Sequence, residues 1–145
     1  MEELHDAVPA DREVVAALLE RCGLPHQDIE PHLAHFTVAR AEGRLIGVIG
    51  LELHGHDALL RSLAVAEEHR GEGIARRLYA ALLGRARGAG VARLFLLTTT
   101  AQGFFENLGF RVVGRDAVPE ALRATEEFRA LCPQSATCMV RSVSR

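Results

Sequence analysis

The sequence is poor in the residues and segments that mark membrane-spanning, secreted and nucleic-acid-binding proteins. It contains no tryptophan, one tyrosine and three cysteines among 145 residues. An odd number of irregularly spaced cysteines argues against a disulfide framework and against a CxxC metal site. No apolar run approaches the ~20 residues that span a bilayer. The net charge of −2 gives nucleic acid and anionic membranes no basic field to bind.

The composition is typical of a soluble globular protein, with 48% hydrophobic and 25% charged residues. The first residues, Met-Glu-Glu-Leu-His-Asp, are acidic, whereas a signal peptide would be basic and apolar. We therefore expect a cytoplasmic protein. A chain of 145 residues can bury one sizeable core without disulfides or metal, so we predict a single domain over residues 1–145.

The stretch from Leu59 to Leu78 organises the rest of the chain. It begins with an apolar run that favours a strand, continues with a polar turn that carries Gly71 and Gly73, and ends with a helix-forming run rich in Ala, Leu and Arg. Because the first helical turn leaves backbone N–H groups unpaired and carries a partial positive charge, it attracts phosphate. The pattern lacks the Gly-Lys-Ser/Thr of a Walker loop and the glycine spacing of a dinucleotide-binding turn. An ordinary strand-to-helix turn is the alternative interpretation.

Strands and helices alternate along the rest of the chain. Phe36 to Ala41, Leu45 to Leu53 and Ala58 to Val65 are β-rich runs joined by short turns typical of hairpins. The strand Val91 to Thr99 follows a helix, so a crossover connection makes it parallel to its predecessor and the sheet mixed. The other predicted elements are strands at Leu4 to Val8, Phe110 to Gly114 and Ser135 to Val143, and helices at Asp11 to Arg21, His26 to Leu33, Gly73 to Arg87, Ala101 to Leu108 and Val118 to Ala130.

Two motifs, together with this element order, resemble the GNAT superfamily of N-acetyltransferases over nearly the whole chain. Arg70-x-x-Gly73-x-Ala75 resembles the acyl-coenzyme A pyrophosphate loop of that superfamily. Phe105-x-x-x-Gly109-Phe110 resembles its second signature, usually Tyr-x-x-x-Gly-Phe. Three further runs resemble the arsenic-resistance N-acetyltransferase-like subgroup: Leu96-Leu97-Thr98-Thr99-Thr100-Ala101-x-x-Phe104-Phe105, Ala124-x-x-x-Phe128 and Leu131-Cys132-Pro133-x-Ser135-Ala136-x-x-Met139.

The resemblance implies an α/β (α+β) fold of the GNAT type, with a mixed central sheet of about six to seven strands, helices on both faces and a splayed pair of central strands. It also implies acetyl-coenzyme A as the co-substrate and no metal. Where the two central strands part, pantetheine amides would satisfy backbone groups in the manner of an added strand. The residues that the resemblance assigns to the co-substrate are Leu63, Ala64, Val65, Arg70, Gly71, Glu72, Gly73, Ile74, Ala75 and Phe105.

The implied chemistry is acetyl transfer to an amine. The backbone N–H of Val65 is the expected oxyanion donor, and removing such a donor typically slows an enzyme by ~10²–10³. Many family members use the tyrosine of the second motif as general acid, but this chain has Phe105 there, which can supply only packing. Since a thiol pKa is about 8.5, the thiolate is a tolerable leaving group that water or the incoming ammonium can protonate.

Four residues are candidates for the acceptor side. Glu52 is the candidate general base, since in this superfamily a carboxylate in this neighbourhood often works through water; the alternative is a solvated edge charge. Arg61 shares strand parity with Leu63 and could clamp a substrate carboxylate bidentately, or form a surface ion pair instead. Thr98 and Thr99 end the other central strand, where they could line the acceptor pocket.

We therefore predict an N-acetyltransferase that moves an acetyl group from acetyl-coenzyme A to the amine of a small molecule, with an amino-acid-like or organoarsenical compound as the acceptor to test. An α-amino group, with a pKa of ~7.7–8.0, is neutral more often at pH 7 than a lysine amine at ~10.4. The expected partner is such an amine rather than nucleic acid or a membrane, and the sequence leaves a homodimer open.

Two alternatives belong to other functional classes. A catalytically idle acyl-coenzyme A-binding or sensing module is favoured by the absent tyrosine. A thiol-based binder of trivalent metalloids would use Cys22, Cys132 and Cys138, whose separations in sequence neither require nor exclude convergence in space. Steady release of free thiol in the presence of an amine distinguishes the enzyme from the idle module.

Overall fold

The computed structural model describes residues 2–143. Within this range the strands are β1 (Glu2–Asp6), β2 (Phe36–Ala41), β3 (Arg44–His54), β4 (Asp57–Val65), β5 (Arg93–Thr98), β6 (Arg111–Val113) and β7 (Thr137–Ser142). The α-helices are α1 (Arg12–Arg21), α2 (Ile74–Gly88), α3 (Gln102–Asn107) and α4 (Glu120–Arg123). The ends of the predicted 1–145 domain, Met1, Ser144 and Arg145, lie outside the described residues.

The strands form a mixed, mostly antiparallel seven-stranded sheet in the order β1-β2-β3-β4-β5-β7-β6. The β4–β5 pair is parallel, and α2 provides the crossover between these two strands. The pairs β1–β2, β2–β3, β5–β7 and β6–β7 are antiparallel. The predicted mixed α/β fold is therefore confirmed.

The described chain divides into two compact units by its internal contacts. The first contains the residues up to Glu52 together with Arg61–Arg85, and the second contains Leu53–Leu60 and the residues from Ala86 onward. The single domain stays a prediction. No helix within residues 2–143 is long and apolar enough to cross a membrane.

In the first unit, helix α2 packs closely against strand β3. At Gly47 of β3, an added Cβ would lie 3.1 Å from a methyl of Leu78 and 3.2 Å from a methyl of Ile74. The missing side chain therefore lets the helix approach the strand. Helices α1 and α2 each bury one apolar face. The buried residues are Val15, Leu18 and Leu19 on α1, and Ile74, Leu78 and Leu82 on α2.

The second unit is organised around β5 and β7. β7 pairs with β6 and also with β5 along Arg93–Thr98. Local sequence patterns did not indicate the pairing with β5. The parallel ladder between β4 and β5 contains the pairs from Asp57↔Arg93 to Leu59↔Phe95. The apolar core of this unit consists of Leu59, Phe95, Val118, Leu122, Phe128, Cys138 and Val140.

Two predicted elements near the N-terminus are wrong in position or type. β1 covers Glu2–Asp6 rather than Leu4 to Val8, because the N–H of Val8 donates to Oδ2 of Asp11 at 2.9 Å and turns the chain before α1. The helix predicted from His26 to Leu33 is a 3₁₀ segment at Glu30–His35. Pro31 occupies its first turn, where a fixed φ and a missing N–H favour a helical start.

The helix predicted over Val118 to Ala130 is also wrong as one continuous element. It is interrupted into α4 and a π-helical turn at Glu127–Leu131. The hydroxyl of Thr125 donates to the carbonyl of Leu122 at 2.7 Å, and it accepts from the N–H of Phe128 at 3.4 Å. Such side-chain bonds compete with the regular helical pattern and end it locally.

Candidate active site

The connection between β4 and α2 is an open glycine loop. β4 ends at Val65, and α2 begins at Ile74. Gly71 and Gly73 both have a φ of 83°, a left-handed conformation that strains residues with a side chain. The predicted order of strand, glycine loop and helix is therefore confirmed, and both glycines are required by the backbone.

This loop fits a pyrophosphate group. A Cβ added at Gly71 would meet nothing within 4 Å, so open space faces the backbone there. A Cβ at Gly73 would lie 3.2 Å from Nη1 of Arg77. The 15-residue helix α2 directs the N–H groups of its first turn toward the same end of the loop. Accessible backbone at a helix N-terminus is the arrangement that binds phosphate oxygens.

The arginine side chains beside the loop have partners within the protein. Nε of Arg70 donates to the carbonyl of Val65 at 3.1 Å, and its Nη2 lies 3.5 Å from Sγ of Cys22. Arg77 pairs with Glu2 at 2.5 Å and donates to the carbonyl of Glu72 at 3.1 Å. These contacts hold the end of β4 and the loop in place, which favours phosphate binding by backbone groups over binding by these guanidinium groups.

A buried ion-pair cluster lies in the same unit as the loop. Arg61 of β4 is 2% exposed. Its Nη1 and Nη2 donate to the two carboxylate oxygens of Asp28 at 2.7 and 2.5 Å, and Nη1 also donates to Oε1 of Glu52 at 3.1 Å. Glu52 of β3 is 3% exposed. Because unpaired buried charges are costly, Arg61 stabilises the two carboxylates, and they stabilise its guanidinium.

His32, from the 3₁₀ segment, completes the cluster. Its Nε2 lies 3.6 Å from Oε1 of Glu52, and its side chain is 28% exposed. Burial acts to raise the pKa of Asp28, but the hydrogen bonds and charge of Arg61, with a smaller effect of His32, outweigh burial and lower this pKa. With a neutral imidazole the cluster has one positive and two negative charges, so a proton on His32 would neutralise it.

A backbone irregularity separates Arg61 from the rest of β4. Ser62 has a φ of 61°, and its Oγ accepts from Nε of Arg61 at 3.0 Å. A left-handed residue inside a strand disturbs the two-residue alternation of side chains. Strand alternation therefore no longer supports the prediction that the side chains of Arg61 and Leu63 lie on the same face.

The alternatives considered for Glu52 and Arg61 are wrong. Neither a solvated edge charge nor a surface ion pair describes two side chains that are 3% and 2% exposed. The base role of Glu52 and the clamp role of Arg61 stay predictions. The guanidinium of Arg61 already donates to two carboxylates of the chain, so a substrate carboxylate would have to compete with them.

The remaining predicted site residues belong to the second unit. Phe105 is buried and packs edge-to-face on Phe104 and Phe110, with ring centroids 5.2 and 5.6 Å apart. Oγ1 of Thr98 accepts from the backbone N–H of the residue before α3 at 3.0 Å, so this threonine helps to begin the helix. Thr99 is exposed. Co-substrate and acceptor contacts of these residues stay predictions.

The three cysteines have different surroundings. Cys22 is half-buried in the first unit, with Sγ 3.9 Å from the carbonyl oxygen of Val65. Cys132 and Cys138 belong to the second unit. Burial raises the pKa of the Cys138 thiol against the opposing charge of Arg115, which makes its thiolate less available as a ligand. Metalloid binding by these cysteines stays a prediction.

Asp28 and His32 are site residues that no motif or pattern of the sequence predicted. Both lie in the irregular segment before β2, and their partners Glu52 and Arg61 are far away in sequence. The sequence contains one weak indication of such partners, because Arg61 lies inside the apolar run of β4. If that strand is buried, the arginine requires a buried carboxylate. Nothing in the local pattern indicated which carboxylates would supply it.

Comparisons with known proteins agree with this fold. The sequence profile described as "Acetyltransferase (GNAT) family" matches residues 2–110. An amino-acid acetyltransferase of Neisseria meningitidis is 31% identical over 97 residues, which cover 66% of this chain. An uncharacterised N-acetyltransferase of Chlorobaculum tepidum is 32% identical over 97 residues, also 66% of this chain. N-acetylglutamate synthase from Neisseria gonorrhoeae, solved with coenzyme A and N-acetyl-glutamate, superimposes with a TM-score of 0.86 and 27% identity over 100% of this chain.

These relatives are longer than the chain. The matched region covers 22% of the Neisseria meningitidis protein and 62% of the Chlorobaculum tepidum protein. It covers 36% of the solved synthase chain. The similarity to the two amino-acid acetylating proteins therefore concerns one part of each.

Proposed function

The chain belongs to the acetyltransferase (GNAT) family, and from this premise we propose that it transfers an acetyl group from acetyl-coenzyme A to the amine of a small molecule. The observation that carries the proposal is the loop after β4, where Gly71 and Gly73 are both left-handed at the start of α2. This loop offers bare backbone to a pyrophosphate. The relatives named acetyltransferases supply the reaction class.

The co-substrate would supply an activated thioester, and the chain would bind and orient it. Backbone groups of Leu63 to Val65 would pair with the pantetheine amides, and the N–H of Val65 would stabilise the developing oxyanion. The backbone from Arg70 to Ala75 would hold the pyrophosphate. Phe105 would contribute apolar packing, since its buried ring carries no proton to donate.

A free amino acid or an amino-acid-like amine is the proposed acceptor. Support comes from the amino-acid acetyltransferase relative and from the synthase structure with N-acetyl-glutamate. An α-amine also suits a site without a strong base, because it loses its proton near pH 8. Thr98 and Thr99 are proposed to line the acceptor pocket. The organoarsenical acceptor, the arsenic-resistance subgroup, the homodimer, the absence of a metal and the cytoplasmic location stay predictions.

The test is release of free coenzyme A thiol from acetyl-coenzyme A with a panel of amines. The panel contains free amino acids, their decarboxylated analogues, a lysine peptide and an amine-bearing arsenical. We expect steady release with at least one free amino acid. Gly73→Val should abolish release and acetyl-coenzyme A binding, whereas Glu72→Ala at the neighbouring loop position should retain both.

The idle-module alternative predicts a different result from the same panel. It predicts tight binding of acetyl-coenzyme A by calorimetry without thiol release with any amine. Release that is faster with the lysine peptide than with every free amine would contradict the small-molecule acceptor while keeping the transferase activity.

A further inference from the structure

The cluster of Asp28, His32, Glu52 and Arg61 is placed beside the strand segment that is proposed to bind the co-substrate. Arg61 precedes Leu63 by two residues on β4, a separation of at most about 7 Å along the chain. All of these residues belong to the first unit. Arg61 therefore lies next to the strand segment that would bind the pantetheine, and its bonds to Asp28 and Glu52 tie the cluster to that segment.

Within the cluster Glu52 is a poor candidate for direct proton transfer. Its Oε1 accepts from Nη1 of Arg61 at 3.1 Å, and only 4% of its side chain is exposed. A buried carboxylate has little access to an incoming ammonium.

His32 has the properties that Glu52 lacks. Its side chain is 28% exposed, so water or substrate can reach it. Histidine ordinarily exchanges a proton between about pH 5 and 8. Nε2 is the nitrogen that faces Glu52, at 3.6 Å, a distance for electrostatic attraction rather than a direct hydrogen bond. If Nε2 carries the proton of the neutral imidazole, the lone pair is on Nδ1, which can then take a proton from the substrate.

The charged groups of the cluster that surround His32 carry a net negative charge. Asp28 and Glu52 contribute two negative charges, and Arg61 contributes one positive charge. On the same 3₁₀ segment, Glu30 is 3.9 Å from Arg12, and His35 is half-buried. An imidazolium on His32 would bring the summed charge of the four cluster residues to zero.

We propose that His32 removes a proton from the ammonium group of the acceptor substrate. In this proposal Glu52 orients the imidazole of His32, and Arg61 anchors Glu52. This inference rests on the proposed acetyl transfer. The ammonium gives one proton to Nδ1 of His32, and the freed lone pair forms the new bond to the acetyl carbon. The carbon–sulfur bond then breaks, and the acylated nitrogen releases its remaining extra proton to the thiolate, directly or through water, to give the amide and free coenzyme A. His32 returns its proton to water.

A bound metal is the competing use of these side chains. One ligand atom each from Asp28, His32 and Glu52 lies within 4.8 Å of the others. However, Arg61 already donates to both carboxylates. A divalent ion would have to displace this guanidinium or lie beside its positive charge, whereas a proton on His32 requires neither.

The test compares His32→Gln with His35→Gln, which changes the same residue type three positions later on the same segment. kcat/KM is measured from pH 5 to 9 with an amine that wild type acetylates. We expect His32→Gln to lower kcat/KM at pH 7 by ~10²–10⁴ and to flatten the acidic limb of the profile. Acetyl-coenzyme A affinity and thermal stability should remain near wild type, and His35→Gln should keep the wild-type profile.

A second measurement tests the positioning role of Glu52 without catalysis. Long-range ¹H–¹⁵N spectra of the histidine rings should show the neutral His32 protonated on Nε2 in wild type, with this preference reduced in Glu52→Gln. Glu52→Gln should also shift the acidic limb of kcat/KM while Glu30→Gln does not.

Four results would overturn the inference. One is an active wild-type enzyme together with a His32→Gln variant whose kcat/KM has the same pH profile. That result would leave the acetyltransferase proposal intact. Another is loss of wild-type activity with a chelator and recovery with Zn²⁺, which would assign the cluster to a metal. A third is a neutral His32 protonated on Nδ1 in wild type. The last is wild type that releases no thiol with any amine, which overturns the proposed function as well.

Discussion

Replacing Arg61 with methionine should destabilise the protein far more than replacing an exposed arginine. The Arg61 side chain is wholly buried and bonds Asp28 and Glu52. Methionine keeps the apolar stem but leaves two carboxylates without their cation. Breaking a buried ion pair in this way typically costs ~3–5 kcal/mol, against a total stability of about 5–15 kcal/mol for a domain.

Arg93 offers a matched control with the same bidentate geometry. Its Nε and Nη2 donate to Asp57 at 2.9 and 3.2 Å, but 50% of its side chain is exposed. Exposed pairs contribute ~0–1 kcal/mol, and the cation–π contact of Arg93 with Phe95 adds roughly 0.5–1 kcal/mol. Arg93→Met should therefore cost no more than about 2 kcal/mol.

The assay is urea unfolding at pH 7, followed by far-ultraviolet circular dichroism. In a thermal melt of a chain of this length, the same loss of ~3–5 kcal/mol in unfolding free energy would lower Tm by roughly 10 °C or more. A triple variant that combines Arg61→Met with Asp28→Asn and Glu52→Gln should recover part of the loss, because no uncompensated charge stays buried. Equal losses for Arg61→Met and Arg93→Met would refute the assignment of a buried, coupled cluster.

Three further predictions concern acid stability, the second motif and the loop. The pKa of Asp28 is lower in the folded protein than in the unfolded chain. Its stabilising effect is therefore present above the unfolded pKa of ~3.9 and is lost as pH falls through the folded value. The unfolding free energy of Asp28→Asn should depend less on pH below about 4 than that of wild type. Phe105→Tyr should change turnover by only a few-fold, and a large gain in kcat would show that a general acid had been limiting. Gly73→Ala should weaken acetyl-coenzyme A binding. A φ of 83° costs a residue with a side chain roughly 1–2 kcal/mol, and the new Cβ would face Arg77. Calorimetry would measure the Kd, with Gly84→Ala on the exposed part of α2 as the control, and equal Kd values for the two variants would contradict the prediction.

The sequence by itself determined the features that depend on neighbouring residues. The two glycines before α2, the hairpins that precede β4 and the crossover to β5 follow from turn chemistry and apolar period, and all are present in the structure. The end of the second motif is also local, since Gly109 has a φ of 95° just after α3.

Only the tertiary structure decided how the charged groups of the candidate site pair. His32 and Asp28 come from a segment without strong periodicity, and β3 and β4 bring Glu52 and Arg61 to them. Strand parity failed at Ser62 because one left-handed residue changes the alternation. Long-range pairing of buried charges depends on which strands become neighbours, and that choice depends on packing of the whole fold rather than on local sequence.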